Sequence, residues 1–374
     1  MSACPGCGAE VADADHFCEA CGYTLGPPAP APSVAQAVAL GPDGSVAPCV
    51  DPPTGATTAP ILGHCSCGGT FDTDGWCNQC GQRAPNDRDH LVITVTGQLA
   101  AVSDKGHHHP RNEDAVALSR TGTRSVLVVC DGVSSATDSD LAAIAAANAA
   151  RDVLAAAAPP DTSSPAARIE YYSDLISQAA HAANAEAAVA ATHVGGQNPP
   201  SCTFAVAVVD GALVVAGWVG DSRVYWLGDD GTALQLSVDD SWATEQMKHG
   251  LPRDVAEADP RAHSITRWLG ADAADPTPSC GSLAAPGAGW ALVCSDGLWN
   301  YCSGASDLAL LVKHSETNDP TVLAGDLVAW ANEQGGHDNI TAALARVERT
   351  DIAETATLSA ATIADASSPQ TRSS

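Results

Sequence analysis

Apolar runs separated by polar turns dominate the chain from about residue 90 onward, and they predict strands. VLVVC at 126–130 and WALVC at 290–294 have the length of a buried strand. LVITVTGQLAAVSD at 91–104 alternates like a strand, and Asp210-Gly211 and Asp230-Gly231 are typical hairpin turns. NITAALARVE at 339–348 predicts a final strand.

Helical periodicity appears between these strands. Residues 138–158 form an Ala-rich segment that ends at Pro159-Pro160, and residues 166–193 predict a second long helix. Residues 306–315 and 320–334 also predict helices. Because hairpin-linked strands alternate with separate helices, we expect an α+β fold with helices outside antiparallel sheets.

Aspartates stand at the ends of several predicted strands. Asp131, Asp221, Asp296 and Asp338 each follow or precede an apolar run. A carboxylate at the end of a buried strand is costly unless something binds it. Asp-Gly is also the commonest turn dipeptide, so each aspartate alone has an ordinary explanation, which we prefer for Asp210 and Asp230.

Together, the aspartates indicate a hard divalent cation. Mg²⁺ and Mn²⁺ take oxygen ligands, and two ions can share one carboxylate and bridge a water. Such a water becomes hydroxide near neutral pH, which suits in-line attack on phosphorus.

The charge balance narrows the choice of partners. The 374 residues carry a formal charge of −27, and no Lys or Arg precedes Arg83. This acidity argues against nucleic acid or an anionic membrane as a partner. No apolar run approaches the ~18 residues of a membrane span, and the N-terminus lacks the features of a signal peptide. We therefore expect a cytoplasmic protein, and a monomer.

Two cysteine clusters near the N-terminus predict zinc. The first has two CxxC pairs, each followed by glycine, which suits a tetrahedral site. The second has CxC in place of its first pair, so that His64 competes with Cys65 for the fourth position; we favour Cys65. The predicted ligands are Cys4, Cys7, Cys18 and Cys21 in the first site, and Cys65, Cys67, Cys77 and Cys80 in the second.

Composition divides the rest of the chain. We predict a zinc ribbon at 1–25, a Pro-rich linker at 26–62, a second ribbon at 63–84, a catalytic domain at 90–348 and a disordered tail at 349–374.

Seven motifs in order carry a family resemblance: RNEDAVAL, VVCDGVSS, WVGDSRVYWL, DDSWATEQM, ITRWLGAD, LVCSDGLWNY and GGHDNIT. Over residues 97–347 the chain resembles the protein phosphatase 2C family of metal-dependent serine/threonine phosphatases. Two ribbons and a Pro-rich linker resemble bacterial, especially actinobacterial, members. The resemblance implies a four-layer α/β/β/α sandwich of two antiparallel sheets, with the metal centre at one end.

The resemblance also implies residue roles. Asp131 would bridge two Mn²⁺ or Mg²⁺ ions, Gly132 would offer its carbonyl, and Asp296 and Asp338 would complete the site. Asp114 would hold metal-bound waters. The remaining implied parts are Asp221 at a third metal, Asn339 as a supporting polar group, and a mobile flap at 238–265.

The chain departs from the family pattern at two places. His109 stands where an arginine often holds the substrate phosphate, five residues before Asp114, and Arg111 is an alternative. His107, His108 or His109 is also a candidate general acid, although a solvated loop explains them equally well. DGVSS replaces the usual Gly-Gly after the aspartate-glycine pair, with little expected effect.

Three hypotheses follow. The chain is an active phosphatase acting on phosphorylated proteins, such as a serine/threonine kinase or its substrates. Alternatively, it is a pseudophosphatase that binds phosphoproteins, which the absent arginine favours slightly. The third hypothesis is that the zinc ribbons are the functional part and act as a nucleic-acid adaptor. The lack of Lys and Arg through residue 82 argues against it.

Overall fold

The computed structural model describes residues 65–348 apart from 66, 73–74, 82–83, 191–197, 253–254 and 257, together with the backbone of two short N-terminal strands. These strands, β1 (Ser2–Ala3) and β2 (Glu10–Val11), pair in antiparallel fashion. The chain divides into two units, Met1–Ala84 and Pro85–Ser374. The first predicted zinc site, His64, the linker and the tail lie outside the described residues.

Six strands of the second unit form one antiparallel sheet, in the order β11-β10-β14-β15-β4-β3. They are β3 (His90–Thr96), β4 (Leu99–Asp104), β10 (Arg223–Gly228), β11 (Ala233–Gln235), β14 (Gly289–Cys294) and β15 (Ile340–Val347). The predicted strand at 91–104 is thus a hairpin of β3 and β4, because the polar pair Gly97-Gln98 lets the chain turn back on itself.

Five further strands form a second antiparallel sheet, in the order β13-β9-β8-β6-β5. They are β5 (Ala115–Thr121), β6 (Arg124–Cys130), β8 (Phe204–Asp210), β9 (Leu213–Val219) and β13 (Ser279–Ala284). A separate two-stranded sheet pairs β7 (Ser201–Cys202) with β12 (Leu269–Gly270). Turns with a positive φ at Gly211 and Gly231 follow Asp210 and Asp230, as the sequence predicts.

Helices cover the outer faces of both sheets. The helices are α1 (Ser139–Ala156), α2 (Pro165–Val189), α3 (Trp242–Lys248), α4 (Asp296–Trp299), α5 (Ala305–His314) and α6 (Pro320–Gln334). Alanines of α1 and α2 pack against the five-stranded sheet in one buried cluster. Residues of α5 and α6 pack against the six-stranded sheet in another. No helix in the described part of the chain is long and apolar enough to cross a membrane.

A third buried cluster lies between the two sheets, with Leu127, Trp218 and Trp226 among its largest members. Three apolar cores therefore separate four layers, helix, sheet, sheet and helix. This arrangement confirms the predicted α/β/β/α sandwich. Its consequence for function is that strands from both sheets end at a common edge.

Candidate metal centre

The five-stranded sheet brings Asp114 and Asp131 together. Ala115, at the start of β5, pairs with Cys130, at the end of β6. Asp114 and Asp131 are the next residues beyond this pair, so both lie at the same end of the sheet. Asp114 is only 1% exposed.

The six-stranded sheet brings Asp296 to the loop that carries Asp338. Cys294, at the end of β14, pairs with Ala342 in β15. The chain then turns into α4, where a Cβ on Gly297 would collide with the carbonyl oxygen of Asn339. Glycine at 297 therefore allows the two loops to approach closely.

Asp221 lies in the turn that crosses from β9 of one sheet to β10 of the other. Arg223, at the start of β10, pairs with Cys294, which places Asp221 beside the β14 end. The indole Nε1 of Trp299 donates a 3.0 Å hydrogen bond to the Asp221 carbonyl. Trp299 thus fixes this turn.

The electrostatics of the cluster are unfavourable without a cation. Burial raises the pKa of Asp131 well above the usual range of an aspartate, and the carboxylates of Asp114, Asp296, Asp338 and Asp221 raise it further. Like charges a few Å apart in a poorly solvated site favour protonation or cation binding.

The other carboxyls of the cluster respond in the same way. Burial, followed by the charges of Asp338 and Asp221, raises the pKa of Asp296 well above its usual range. Burial raises the pKa of Asp114 to about 6. Burial, followed by the charge of Asp239, raises the pKa of Asp221 to about 7.

Two oxygens of the cluster lack partners. Asp114 Oδ1 and Asp296 Oδ1 are buried, and neither has a hydrogen-bond partner among the described residues. Carboxylate oxygens are the ligands that Mg²⁺ and Mn²⁺ prefer, so the donor set fits these ions. Within the described chain only four cysteine sulfurs form a set of three or more ligand atoms within 4.8 Å of each other, so the aspartates are not a compact single-ion cage.

The second oxygen of Asp114 is held by two hydroxyls. Ser295 donates to Asp114 Oδ2 at 2.6 Å, and Thr341 donates to the same atom at 2.7 Å. Neither residue was predicted from the sequence. The available signal was their position, since Ser295 immediately precedes Asp296 and Thr341 lies two residues after Asn339.

Asn339 joins the loops of the site, as a supporting polar group should. Its Oδ1 accepts a 2.7 Å hydrogen bond from the Glu113 amide. Its Nδ2 donates to the carbonyls of Lys105 and Arg111, at 2.8 and 3.1 Å.

Gly132 is buried against two carbonyl groups. A Cβ at this position would lie 2.8 Å from the carbonyl oxygens of both Glu113 and Ser139. Its amide donates to the Glu113 carbonyl at 3.2 Å. Only glycine fits here, directly after Asp131.

Comparison with known proteins identifies a family for this chain. Residues 105–320, more than half of the chain, match the family model described as protein phosphatase 2C.

The chain belongs to the protein phosphatase 2C family.

Individual relatives give the extent of the likeness. The chain is 32% identical over 147 residues to protein phosphatase PhpP of Streptococcus pneumoniae, an alignment that covers 39% of this chain and 57% of PhpP. A solved serine/threonine phosphatase of S. agalactiae is 25% identical, with a TM-score of 0.56, over 67% of this chain and 99% of that one. The Mycobacterium tuberculosis phosphatase PstP/Ppp, 24% identical with a TM-score of 0.53 over 69% of this chain and all of that one, shares the fold.

His109, at the position where the resemblance implies an arginine, lies beside the carboxylate of Asp338. Its Nε2 is 3.2 Å from Oδ1 of Asp338. His109 is therefore in contact with a predicted metal ligand.

Arg111, the alternative phosphate ligand, is bound elsewhere. Its Nε and Nη2 donate to Glu113 Oε1, at 2.9 and 2.7 Å. Its Nη1 lies 3.5 Å from Oδ1 of Asp140 on α1. The guanidinium thus braces Glu113 against the start of α1.

The other two histidines pack on the loop that precedes Asp338. The His107 amide donates to the Gly336 carbonyl at 2.8 Å. The ring of His108 lies 4.7 Å from that of His337. Burial lowers the pKa of His108, and charge on His337, His107 and His109 lowers it further.

The predicted flap at 238–265 contains α3 and is fastened at its base. Asp239 is paired with Arg223 at 2.6 Å. Asp240 accepts a 3.1 Å hydrogen bond from the Gly220 amide, and Arg267 lies 3.2 Å from it. Ser241 caps α3 by accepting from Thr244. The contacts of Asp239 with Arg223 and of Asp240 with Gly220 therefore hold the turn that carries Asp221.

A separate cysteine cluster lies in the first unit. The sulfurs of Cys65 and Cys80 are 3.5 Å apart, and those of Cys67 and Cys77 are 3.4 Å apart. Backbone amides of Cys80 and Gln79 lower the pKa of Cys77 to about 6, which favours the thiolate that binds metal.

Proposed function

We propose that this chain is an active phosphatase that removes phosphate from phosphoserine and phosphothreonine in proteins. The observation that carries the proposal is the gathering of four carboxylates around that of Asp131, two of which have a buried oxygen without a hydrogen-bond partner in the described structure. The complete carboxylate set does not favour the pseudophosphatase alternative. Family membership supports the reaction class, although the chain spans only 57% of the length of PhpP.

The predicted metal ligands fit two ions of Mn²⁺ or Mg²⁺. Asp131 would be shared, Gly132 would offer its carbonyl, and Asp296 and Asp338 would complete the coordination. Asp221 would serve a third ion. When bound, such ions supply a nucleophile from water at neutral pH and neutralise charge on the phosphoryl oxygens.

The chain's own residues hold this centre in place. Asp131 donates its amide to Thr203 Oγ1 at 2.9 Å and accepts from the Thr203 amide at 2.7 Å. This clamp fixes the backbone beside the central carboxylate. Ser295 and Thr341 orient Asp114, which we propose holds water close to the reacting phosphate.

His109 remains a catalytic candidate because it lies within the carboxylate cluster. Arg111 contacts Glu113, which precedes Asp114. This contact supports an indirect contribution of Arg111 to catalysis, through the loop that carries Asp114. We propose that the substrate enters from the solvent-facing side of the cluster, where Asp131, Asp296 and Asp338 are partly exposed.

The cysteine cluster supports a structural zinc site formed by Cys65, Cys67, Cys77 and Cys80. We propose that the ribbons locate the enzyme beside phosphorylated partners, such as a serine/threonine kinase or its substrates. A monomeric state, a cytoplasmic location and the remaining domain bounds stay predictions.

The decisive experiment is an assay of the full chain on a phosphothreonine peptide with Mn²⁺, with Mg²⁺ or with chelator. We expect turnover that requires the ion and is lost in Asp296→Asn. Asp230→Asn, at an ordinary Asp-Gly turn, is the matched control and should keep full activity. A folded wild-type protein without turnover in excess Mn²⁺ would refute the enzyme and leave the phosphoprotein-binding alternative.

A further inference from the structure

His109 and the Asn339 amide meet at one oxygen of Asp338. Oδ1 of Asp338 lies 3.2 Å from His109 Nε2 and accepts a 2.7 Å hydrogen bond from the Asn339 amide. A carboxylate held through one oxygen can present the other to a cation. The contact therefore acts on the orientation of a proposed metal ligand.

The surrounding backbone builds this contact. Asn339 Nδ2 donates to the carbonyls of Lys105 and Arg111, on either side of His109. The His107 amide donates to the Gly336 carbonyl at 2.8 Å. Three hydrogen bonds thus fasten the loop of His109 to the loop of Asp338, and the distance between the two side chains is set by the fold.

The neighbouring cation does not compete for Asp338. Arg111 is engaged with Glu113 and lies near Asp140. His109 is therefore the side chain that reaches the Asp338 carboxylate from the 107–111 loop. The side chain of His109 is 24% exposed, so most of the imidazole ring is packed against the protein.

We propose that His109 is a positioning residue for Asp338, instead of a group that holds the substrate phosphate. This inference rests on the proposed function, since it takes Asp338 as a metal ligand. A donor on the outer side of a ligating carboxylate fixes its orientation, and removal of such a partner typically costs 10–100-fold in metal affinity. Recognition of the phosphate is then left to the bound ions.

Calorimetric titration of the full chain with Mn²⁺ tests the inference directly. We expect His109→Ala to weaken Mn²⁺ binding by roughly 10–100-fold. His109→Gln should recover most of the affinity, because its amide can donate from a similar position. The matched control is His90→Ala, which removes another histidine–aspartate contact, 2.7 Å from Asp104, and should bind Mn²⁺ normally.

Binding of inorganic phosphate at saturating Mn²⁺ separates the two roles. A positioning residue predicts phosphate affinity in His109→Ala within about twofold of the wild type once the metal is saturated. Unchanged Mn²⁺ affinity with a loss of phosphate affinity would overturn the inference and make His109 a phosphate ligand. Absence of Mn²⁺ binding in the wild type would instead overturn the proposed function itself, and this inference with it.

Discussion

The hydroxyl of Ser295 donates a 2.6 Å hydrogen bond to Oδ2 of Asp114, joining the end of β14 to the start of β5. These strands belong to different sheets. Ser295 is fully buried and also accepts a 2.9 Å hydrogen bond from the Thr341 amide. One hydroxyl therefore serves both sheets at the edge where the carboxylates gather.

Removal of this hydroxyl should cost both stability and activity. Ser295→Ala deprives two buried groups of a partner, which typically costs about 1–3 kcal/mol in the free energy of unfolding. We expect turnover to fall as well, because Asp114 loses one of its two orienting donors. Urea unfolding and the phosphopeptide assay measure the two effects. Ser125→Ala, at a buried serine that accepts from Arg120, should leave turnover unchanged. Equal losses in both variants would contradict the prediction.

The metal-free protein should lose stability as the pH rises from about 4 to about 7. The pKa is raised to about 6 at Asp114 and about 7 at Asp221, whereas an aspartate in the unfolded chain titrates near 3.9. The folded state then binds more protons than the unfolded state, so the free energy of unfolding decreases through this window, by roughly 1.4 kcal/mol per unit of pKa shift.

Thermal melts between about pH 4 and pH 8, with and without Mn²⁺, check this expectation. Asp221→Asn removes one of the titrating groups and should flatten the pH dependence of the metal-free protein. Saturating Mn²⁺ should restore the Tm at pH 7.5. A metal-free Tm with the same pH dependence in the wild type and in Asp221→Asn would count against the assigned shift.

Gly297→Ala should damage the site through the backbone. A Cβ at 297 has no room beside the Asn339 carbonyl, so the turn carrying Asp296 must move. Overpacking of this kind typically costs 1–3 kcal/mol, and we expect weaker Mn²⁺ binding in calorimetry. Gly325→Ala, within α6 and with open space around it, is the control and should stabilise the protein by up to about 1 kcal/mol. Normal Mn²⁺ binding by Gly297→Ala would contradict the geometry.

Loss of the cysteine site should leave catalysis intact. Cys77→Ser removes one of four converging ligands, so elemental analysis should show one fewer zinc ion per chain. Turnover on a short phosphopeptide should persist, because the cysteines and the aspartates belong to different units of the chain. Cys280→Ser, at an exposed cysteine in β13, should retain the full zinc content. An equal zinc content in the two variants would exclude the site.

Substrates with basic residues around the phosphate should be preferred. Seven of the described arginines already have an acidic partner: Arg111, Arg151, Arg168, Arg223, Arg261, Arg267 and Arg346. With a formal charge of −27, the chain should attract cationic segments.

Matched phosphopeptides with basic, neutral or acidic flanks test this preference. We expect kcat/KM to be about tenfold higher for the basic peptide at low salt. The difference should shrink towards 0.5 M salt, because salt screens charges that lie more than a few Å apart. A preference for acidic flanks, or one that salt does not change, would contradict the prediction.

The sequence predicted those parts of the protein that local pattern determines. Apolar runs gave the strands that end at Asp131 and Asp296, and the seven motifs gave the family. Register then explains why Asp114 and Asp131 meet, since Ala115 pairs with Cys130. This pairing belongs to a hairpin closed at Gly122-Thr123, a turn that was not predicted from the sequence.

The partners of Asp114 could not be predicted, because they come from strands far away in the sequence. Ser295 and Thr341 look like ordinary strand-end residues until β14 and β15 are aligned beside β5. Asp210, expected to be only a turn residue, also pairs with Arg168 at 2.6 Å and accepts from Tyr172 at 2.8 Å. In each case the chemical group is known from the sequence, whereas its partner is determined by the tertiary fold.

The placement of the aspartates gives the proposed ions a structural role, because their ligands come from both sheets. Asp114 and Asp131 extend from the five-stranded sheet, Asp296 and Asp338 from the six-stranded sheet, and Asp221 from the crossing between them. Ions bound here would cross-link the two sheets of the sandwich at one edge. Removal of these ions would then loosen that edge as well as stop turnover, so that the metal supply would affect the stability of the protein together with its activity.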